Sequence, residues 1–161
     1  MTKKLNSMRL LEQNGVLYET ISYGEPDAFH DAVEVAEMLG VPVDRVYKTL
    51  VVEAAGSSKP CLALIAADRS LDLKRLAAVM GVKKAAMAAH KDAERWTGLK
   101  VGGISALALT QKNWPVYLDQ PALEHEHILV SAGQRGMQLR VPTTALIQII
   151  KAKVADISTA P

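Results

Sequence analysis

Val46-Tyr47-Lys48-Thr49-Leu50-Val51-Val52 is a β-branched, apolar run interrupted by one lysine. Its composition reads as a strand bound for a core. Side chains alternate along a strand, so Val46, Lys48, Leu50 and Val52 share a face, and three of those four are core residues. A lysine among them either snorkels out at a rim on its long stem or is held in a pocket. Burying an ammonium without a partner is costly, and the usual response is a lowered pKa or a bound anion. From this stretch alone both readings of Lys48 stand. The strand is the expected centre of the fold.

Outward from it, strands and helices interleave. On the N-terminal side, Leu5, Met8 and Leu11 take a helical spacing that Asn14-Gly15 stops. Val16 to Tyr23 reads as a strand, and Gly24-Glu25-Pro26-Asp27 as a turn. Asp31 to Leu39 has the helical period through Ala32, Val35, Ala36 and Leu39, with Gly40 as its end. The central strand runs to Ala54. Past the loop Ala55–Pro60, Cys61 to Ala67 returns as its hairpin partner. Ser70 or Asp72 caps a helix carrying Leu73, Leu76, Ala77 and Met80 inward, with Gly81 as the stop. Ala85 to Ala88 reads as a short strand, His90 to Trp96 as a short helix and Gly98 to Ser105 as a loop. Val116–Asp119 and Ile128–Ser131 are expected strands. Gly133-Gln134-Arg135-Gly136 turns the chain into Met137–Val141, and Thr143 or Thr144 caps a last helix that buries Leu146, Ile149 and Ile150. With no repeat or linker, residues 1–161 are expected to form one mixed α/β domain with mostly antiparallel pairing.

The 161 residues are enough for a real core. No apolar run approaches membrane-spanning length, and Met1 to Ser7 lacks the apolar stretch of a signal peptide. The single cysteine, Cys61, excludes an internal disulfide framework and suits a reducing cytoplasm. It reads as a small core residue with no activating base nearby. Net charge is +2, unevenly spread. Residues 11–47 hold eight acids and one base, Arg45, whereas residues 71–100 hold seven bases against three acids. Such a basic stretch is either a solvated helix surface or a footprint for a phosphate backbone.

Few residues offer chemistry. Gly102-Gly103 between structured segments is either a tight turn or a place where backbone N–H groups approach a ligand. Gly133-x-x-Gly136 reads as a hairpin connection, and no Gly-Lys-Ser/Thr follows either glycine pair. Glu124-His125-Glu126-His127 would put two histidines on one strand face, but no third ligand stands at a sensible spacing, so no metal is expected. No Ser-His-Asp arrangement is recognisable, and His30 and His90 have no motif context.

Val46-Tyr47-Lys48-Thr49-Leu50, Leu71-Asp72-Leu73-Lys74, Thr97-Gly98-x-x-Val101-Gly102-Gly103-Ile104-Ser105 and Val130-Ser131-x-Gly133-x-Arg135-Gly136 resemble, in order and spacing, the YbaK/EbsC family. That family contains trans-editing deacylases of mischarged tRNA(Pro). The likeness spans nearly the whole chain. It implies a curved, mostly antiparallel sheet with flanking helices, related to the editing domain of bacterial prolyl-tRNA synthetases. It also implies a catalytic Lys48 with Gly102 and Gly103, and a substrate pocket of Tyr23, Phe29, Thr49, Ile104, Ser105, Ser131, Gly133 and Gln138. Gln138 departs from the acid often found there, and an amide would hold a substrate α-ammonium more weakly. Lys74, Lys83, Lys84, Lys91, Arg95 and Arg135 are the expected tRNA contacts.

Hydrolysis of an aminoacyl ester needs a stabilised oxyanion and a nucleophile. The chain offers backbone N–H groups for the first and no convincing side chain for the second. In the family it resembles, the cysteine thiol of the mischarged amino acid is the proposed nucleophile, giving a strained thiolactone that opens in water. Cys-tRNA(Pro) is then the expected substrate. No cofactor is expected, and the partners are mischarged tRNA(Pro) and prolyl-tRNA synthetase in the cytoplasm, with neither membrane nor DNA. The alternative is a module that binds an aminoacyl-tRNA or a nucleotide ester without hydrolysing it.

Overall fold

The computed structural model describes residues 4–25 and 27–161. In α1 (Asn6–Gln13), Met8 and Leu11 are buried, and the Ser7 hydroxyl donates to Ala132 O. β1 (Glu19–Ser22) follows. α2 (Ala32–Leu39) opens on a capping box in which Asp31 and Glu34 each accept from the other's backbone N–H. Gly40 ends it at φ 68°, where a side chain would be strained. A 3₁₀ turn, Val43–Arg45, enters β2 (Tyr47–Ala54), which pairs in a hairpin with β3 (Cys61–Ala66). β4 (Ser70–Leu71) precedes α3 (Leu73–Met80), which Asp72 caps through the Lys74 and Arg75 N–H groups. Then come β5 (Ala85–Met87), α4 (His90–Thr97), a 3₁₀ stretch over Leu107–Lys112, and β6 (Val116–Asp119). The 3₁₀ turn Gln120–Glu124 leads to the β7 (His127–Ser131) and β8 (Met137–Pro142) hairpin. α5 (Thr143–Ile150), β9 (Lys153–Ala155) and β10 (Ser158–Thr159) complete the described elements.

The fold is mixed α/β. A five-stranded sheet has the order β5-β2-β3-β6-β9, and a three-stranded sheet the order β1-β8-β7. A parallel bridge between Val46 and Leu129 joins the two. Pairing is antiparallel except at β3–β6 and β6–β9. β2 lies inside the larger sheet and buries both faces. Tyr47 and Val51 pack with Leu62, Leu64 and Ala66 on one side. Val52 packs with Cys61, Ala63, Ile65 and the α3 residues Leu76 and Ala77 on the other. Lys48 is on that second face, half-buried opposite Ile65. The C-terminal strands are clasped by Asp119: its fully buried carboxylate accepts from the Ile157 N–H at 3.0 Å and from the Ser158 hydroxyl, with Arg69 Nε 3.6 Å away.

Several expectations are corrected. Only Glu19–Ser22 of the Val16–Tyr23 run forms the strand, although β8 runs on to Pro142 and the Tyr23 N–H donates to Gly136 O at 2.9 Å; Leu17 is 89% exposed. The expected turn at 24–27 includes Pro26, which lies outside the described residues, as do Met1–Lys3 of the N-terminal stretch. Neither threonine caps α5. Pro142 holds the cap position, and the Thr143 hydroxyl donates to His125 O instead. Ile149 is half-buried while Leu146 and Ile150 are buried. His125 and His127 do not share a strand face: β7 starts at His127, and His125 Nε2 lies 3.7 Å from the Asp44 carboxylate. Among the described residues, no helix is long and apolar enough to cross a membrane.

Candidate functional site

A cavity of about 210 Å³ opens where the two sheets meet. One wall is the middle of β2, Val46 to Leu50. α2 and the segment before it supply Phe29, His30, Asp31, Ala32 and Val35. Val101, Gly102 and Ile104 come from the glycine loop, His90 from the start of α4, and Ser131 and Gln138 from the β7–β8 hairpin. Ser131 and Gln138 face each other across that hairpin.

Lys48 sits on this wall with Nζ donating to Ala67 O at 3.1 Å. Burial lowers its pKa, opposed by the carboxylates of Asp31 and Asp68. A partly desolvated ammonium with one carbonyl acceptor keeps two donors for a guest. Three of the lining residues carry a buried polar atom with no partner among the described residues: Tyr47 Oη, Thr49 Oγ1 and Gln138 Oε1. Buried polar groups are rarely left unpaired, and these gather in the walls of one cavity. Burial, reinforced by Asp119 and Asp44, pushes the Tyr47 phenol far up, so it stands as a neutral donor. Gln138 is held by its amide, with Nε2 3.5 Å from the Tyr23 hydroxyl.

The structure brings together Lys48, Phe29, Thr49, Gly102, Ile104, Ser131 and Gln138 from the expected set. Tyr23 stands behind Gln138 rather than on the cavity wall. Ser105 is buried, and its hydroxyl has no partner among the described residues. The Gly133 N–H donates to Ser131 Oγ at 3.2 Å, which aims that hydroxyl. Gly103 differs from its expected role. It does not line the cavity, its N–H donates to Lys100 O at 2.8 Å, and a Cβ there would lie 2.8 Å from the Arg135 N and Gln134 C backbone atoms. It is the point where two loops touch. Gly102 is the member of the pair on the cavity, packed against Phe29 at φ 93°.

Arg135 braces the same loops. Its Nε donates to Val101 O at 2.8 Å, Nη1 to Asp27 O at 3.2 Å, and the guanidinium lies 5.3 Å from the Phe29 ring centroid. Lys74, Lys83, Lys84, Lys91 and Arg95 are exposed along α3, the turn after it and α4. The sequence missed His30, Asp31 and His90 on the cavity. Asp31 is recognisable as a helix cap, but nothing in the sequence marks the two histidines. Cys61 is away from the cavity, beside Met80 Sδ at 3.8 Å, and burial pushes its thiol up to about 11.

Comparisons place this geometry. A model of the aminoacyl-tRNA editing domain matches residues 27–149. The chain is 37% identical over 157 residues to the "Putative Cys-tRNA(Pro)/Cys-tRNA(Cys) deacylase EbsC" of Enterococcus faecalis, covering 98% of this chain and 94% of that one. It is 38% identical over 73 residues to a proline–tRNA ligase of Nitratidesulfovibrio vulgaris, which is 45% of this chain and 12% of the ligase. Among solved structures, the hypothetical protein APE2540 superposes with a TM-score of 0.87 at 22% identity, over 96% of this chain and all of that one. A "putative trans-editing enzyme for prolyl tRNA synthetase" superposes with a TM-score of 0.78 at 22% identity, over 99% of this chain and all of that one. At that identity these two speak for the fold. The family match over most of the sequence and the near-full-length relative establish that the chain belongs to the aminoacyl-tRNA editing domain family.

Proposed function

We propose that the protein is a trans-editing hydrolase that deacylates mischarged tRNA(Pro), with Cys-tRNA(Pro) as its substrate, and that residues 1–161 act as one editing domain. The observation that carries this reading is the cavity itself: Lys48, Ser131 and Gln138 around a space suited to an aminoacyl ester. The near-full-length likeness to a protein named for Cys-tRNA deacylation supports the substrate.

In this reading the Lys48 ammonium holds the terminal ribose or phosphate and fixes the ester. Gln138 meets the substrate α-ammonium, and the Ser131 hydroxyl, which accepts from the Gly133 N–H, keeps its proton for the carbonyl oxygen as charge develops on it. Gly102 shapes the approach, and Gly103 and Arg135 support the loops rather than the reaction. Among the described residues, no cysteine faces the cavity. This reading gives the substrate thiol the role of nucleophile. Its sulfur loses a proton and attacks the ester carbonyl, and the ribose oxygen leaves carrying a proton. Uncharged tRNA and a four-membered thiolactone result, and water opens the ring to cysteine. A thiol is partly thiolate near neutral pH and strongly nucleophilic, whereas a serine hydroxyl is neither.

The exposed Lys74, Lys83, Lys84, Lys91 and Arg95 would meet tRNA phosphates, with binding that weakens as salt rises. Prolyl-tRNA synthetase is the proposed docking partner, and the cytoplasm, where tRNA is charged, the proposed location. The test is a steady-state panel of tRNA(Pro) charged with Cys, Ser or Pro. Cys-tRNA(Pro) should be hydrolysed at least about tenfold faster than Ser-tRNA(Pro), and Pro-tRNA(Pro) should survive. Equal rates for Cys and Ser would replace the substrate thiol with an attacking water.

A further inference from the structure

A second cleft, of about 400 Å³, lies at the far end of the same strand and helix that border the Lys48 cavity. It holds Trp96 and Trp114, which are the two tryptophans of the chain. Both indoles are partly exposed and packed against the main core, so they are rigid platforms. Each carries a cation: Arg95 Cζ is 5.9 Å from the Trp96 ring centroid, and Lys112 Nζ is 5.4 Å from that of Trp114. Lys59 stands on the rim, and Glu53 contributes one carboxylate. Rigid aromatic faces with adjacent cations are how proteins hold unpaired nucleic acid: bases stack on the rings and phosphates meet the charges. The carboxylate suits the exocyclic amino groups of cytosine or adenine.

The position of the cleft matters as much as its contents. β2 runs on one face from Thr49 in the Lys48 cavity to Glu53 in the cleft, four residues at about 3.3 Å each. α4 runs from His90 in the cavity to Trp96 in the cleft, six residues at about 1.5 Å each. The two routes give about 9–13 Å, the span of about three to four stacked nucleotides at about 3.4 Å apiece. The ester of an aminoacyl-tRNA lies on the last ribose of an unpaired strand end. An ester in the Lys48 cavity would place the preceding bases within reach of the tryptophans.

We propose that the Trp96–Trp114 cleft stacks an unpaired base of the RNA strand whose 3′ end enters the Lys48 cavity. The proposal deepens the deacylase reading and rests on it for the identity of the strand. The cleft supplies binding energy from a part of the substrate remote from the reacting bond, so its loss should raise KM more than it lowers kcat.

Tryptophan emission gives a direct probe. An oligoribonucleotide ending in CCA should quench the wild-type emission saturably, and should still quench Trp114→Phe, which keeps an aromatic face at that position. Kinetics give the second arm. Trp114→Ala should lower the ratio of kcat/KM on Cys-tRNA(Pro) to kcat/KM on cysteinyl-adenosine ester by about tenfold. Trp114→Phe should recover most of that ratio. No saturable quenching of the wild type, or an unchanged ratio in a folded Trp114→Ala protein, overturns the proposal. If the wild type releases no amino acid from any charged tRNA, the deacylase reading fails instead, and the quenching titration still decides the cleft.

Discussion

Lys48 shows how one residue trades stability for a site. Its ammonium has a carbonyl at 3.1 Å, and burial pushes it toward the neutral form. Such a group is a net cost in the empty protein. Lys48→Met keeps the stem and removes the charge, so it should stabilise the fold by up to about 1 kcal/mol while ending deacylation. The sign with pH follows from linkage. The folded-state pKa lies below the unfolded value, so the wild type bears the full cost below the folded pKa. That cost fades as pH rises toward the unfolded pKa, and the advantage of Lys48→Met should fade with it. Denaturant melts of both proteins from neutral to alkaline pH check this, and a methionine variant less stable than wild type at neutral pH would contradict it. The lysine was legible in the sequence because it interrupts an apolar run. Its acceptor was not, because Ala67 O is a backbone carbonyl nineteen residues away and carries no sequence mark. His30 and His90 were illegible for a related reason. They stand at the borders of short helices, and only tertiary packing turns them to the cavity.

Among elements, the glycine loop carries the sharpest structural test. Gly103 is where the 99–105 loop touches the β7–β8 turn, and a Cβ would meet backbone atoms at 2.8 Å, which cannot rotate away. Gly103→Val should therefore lower stability by about 1–3 kcal/mol, read as a fall in Tm. An unchanged Tm would mean that the two loops do not meet there. The sequence marked this loop by its paired glycines but not their division of labour, since φ and N–H partners depend on the neighbouring loop. Elements with a full period were readable: α2 through its capping box and terminal glycine, α3 through Asp72 and Gly81, and the β2–β3 hairpin through its apolar runs. The 3₁₀ turns and the two-residue strands β4 and β10 were not, because they are too short for a period to show. The basic segment was legible as charge alone. Arg135, expected to face tRNA, braces Val101, Asp27 and Phe29 instead.

At the scale of the whole molecule, the site exists only because two sheets meet. β2 brings Lys48 and Thr49, the β7–β8 hairpin brings Ser131 and Gln138, and the Val46–Leu129 bridge holds these strands side by side. No local pattern encodes that meeting. The order and spacing of four short motifs pointed to it only through resemblance to a family. The Asp119 clasp on Ile157 and Ser158 then closes the C-terminal strands onto β4 and β6. The proposed chemistry requires this assembled cavity to be a catalytic centre rather than a binding site. The most direct measurement is release of cysteine from Cys-tRNA(Pro) by trace protein, wild type beside Lys48→Ala, with fold compared by circular dichroism. Many turnovers by the wild type and a loss of about a hundredfold or more in the folded variant are predicted; release limited to one equivalent, or wild-type turnover in Lys48→Ala, would contradict the account.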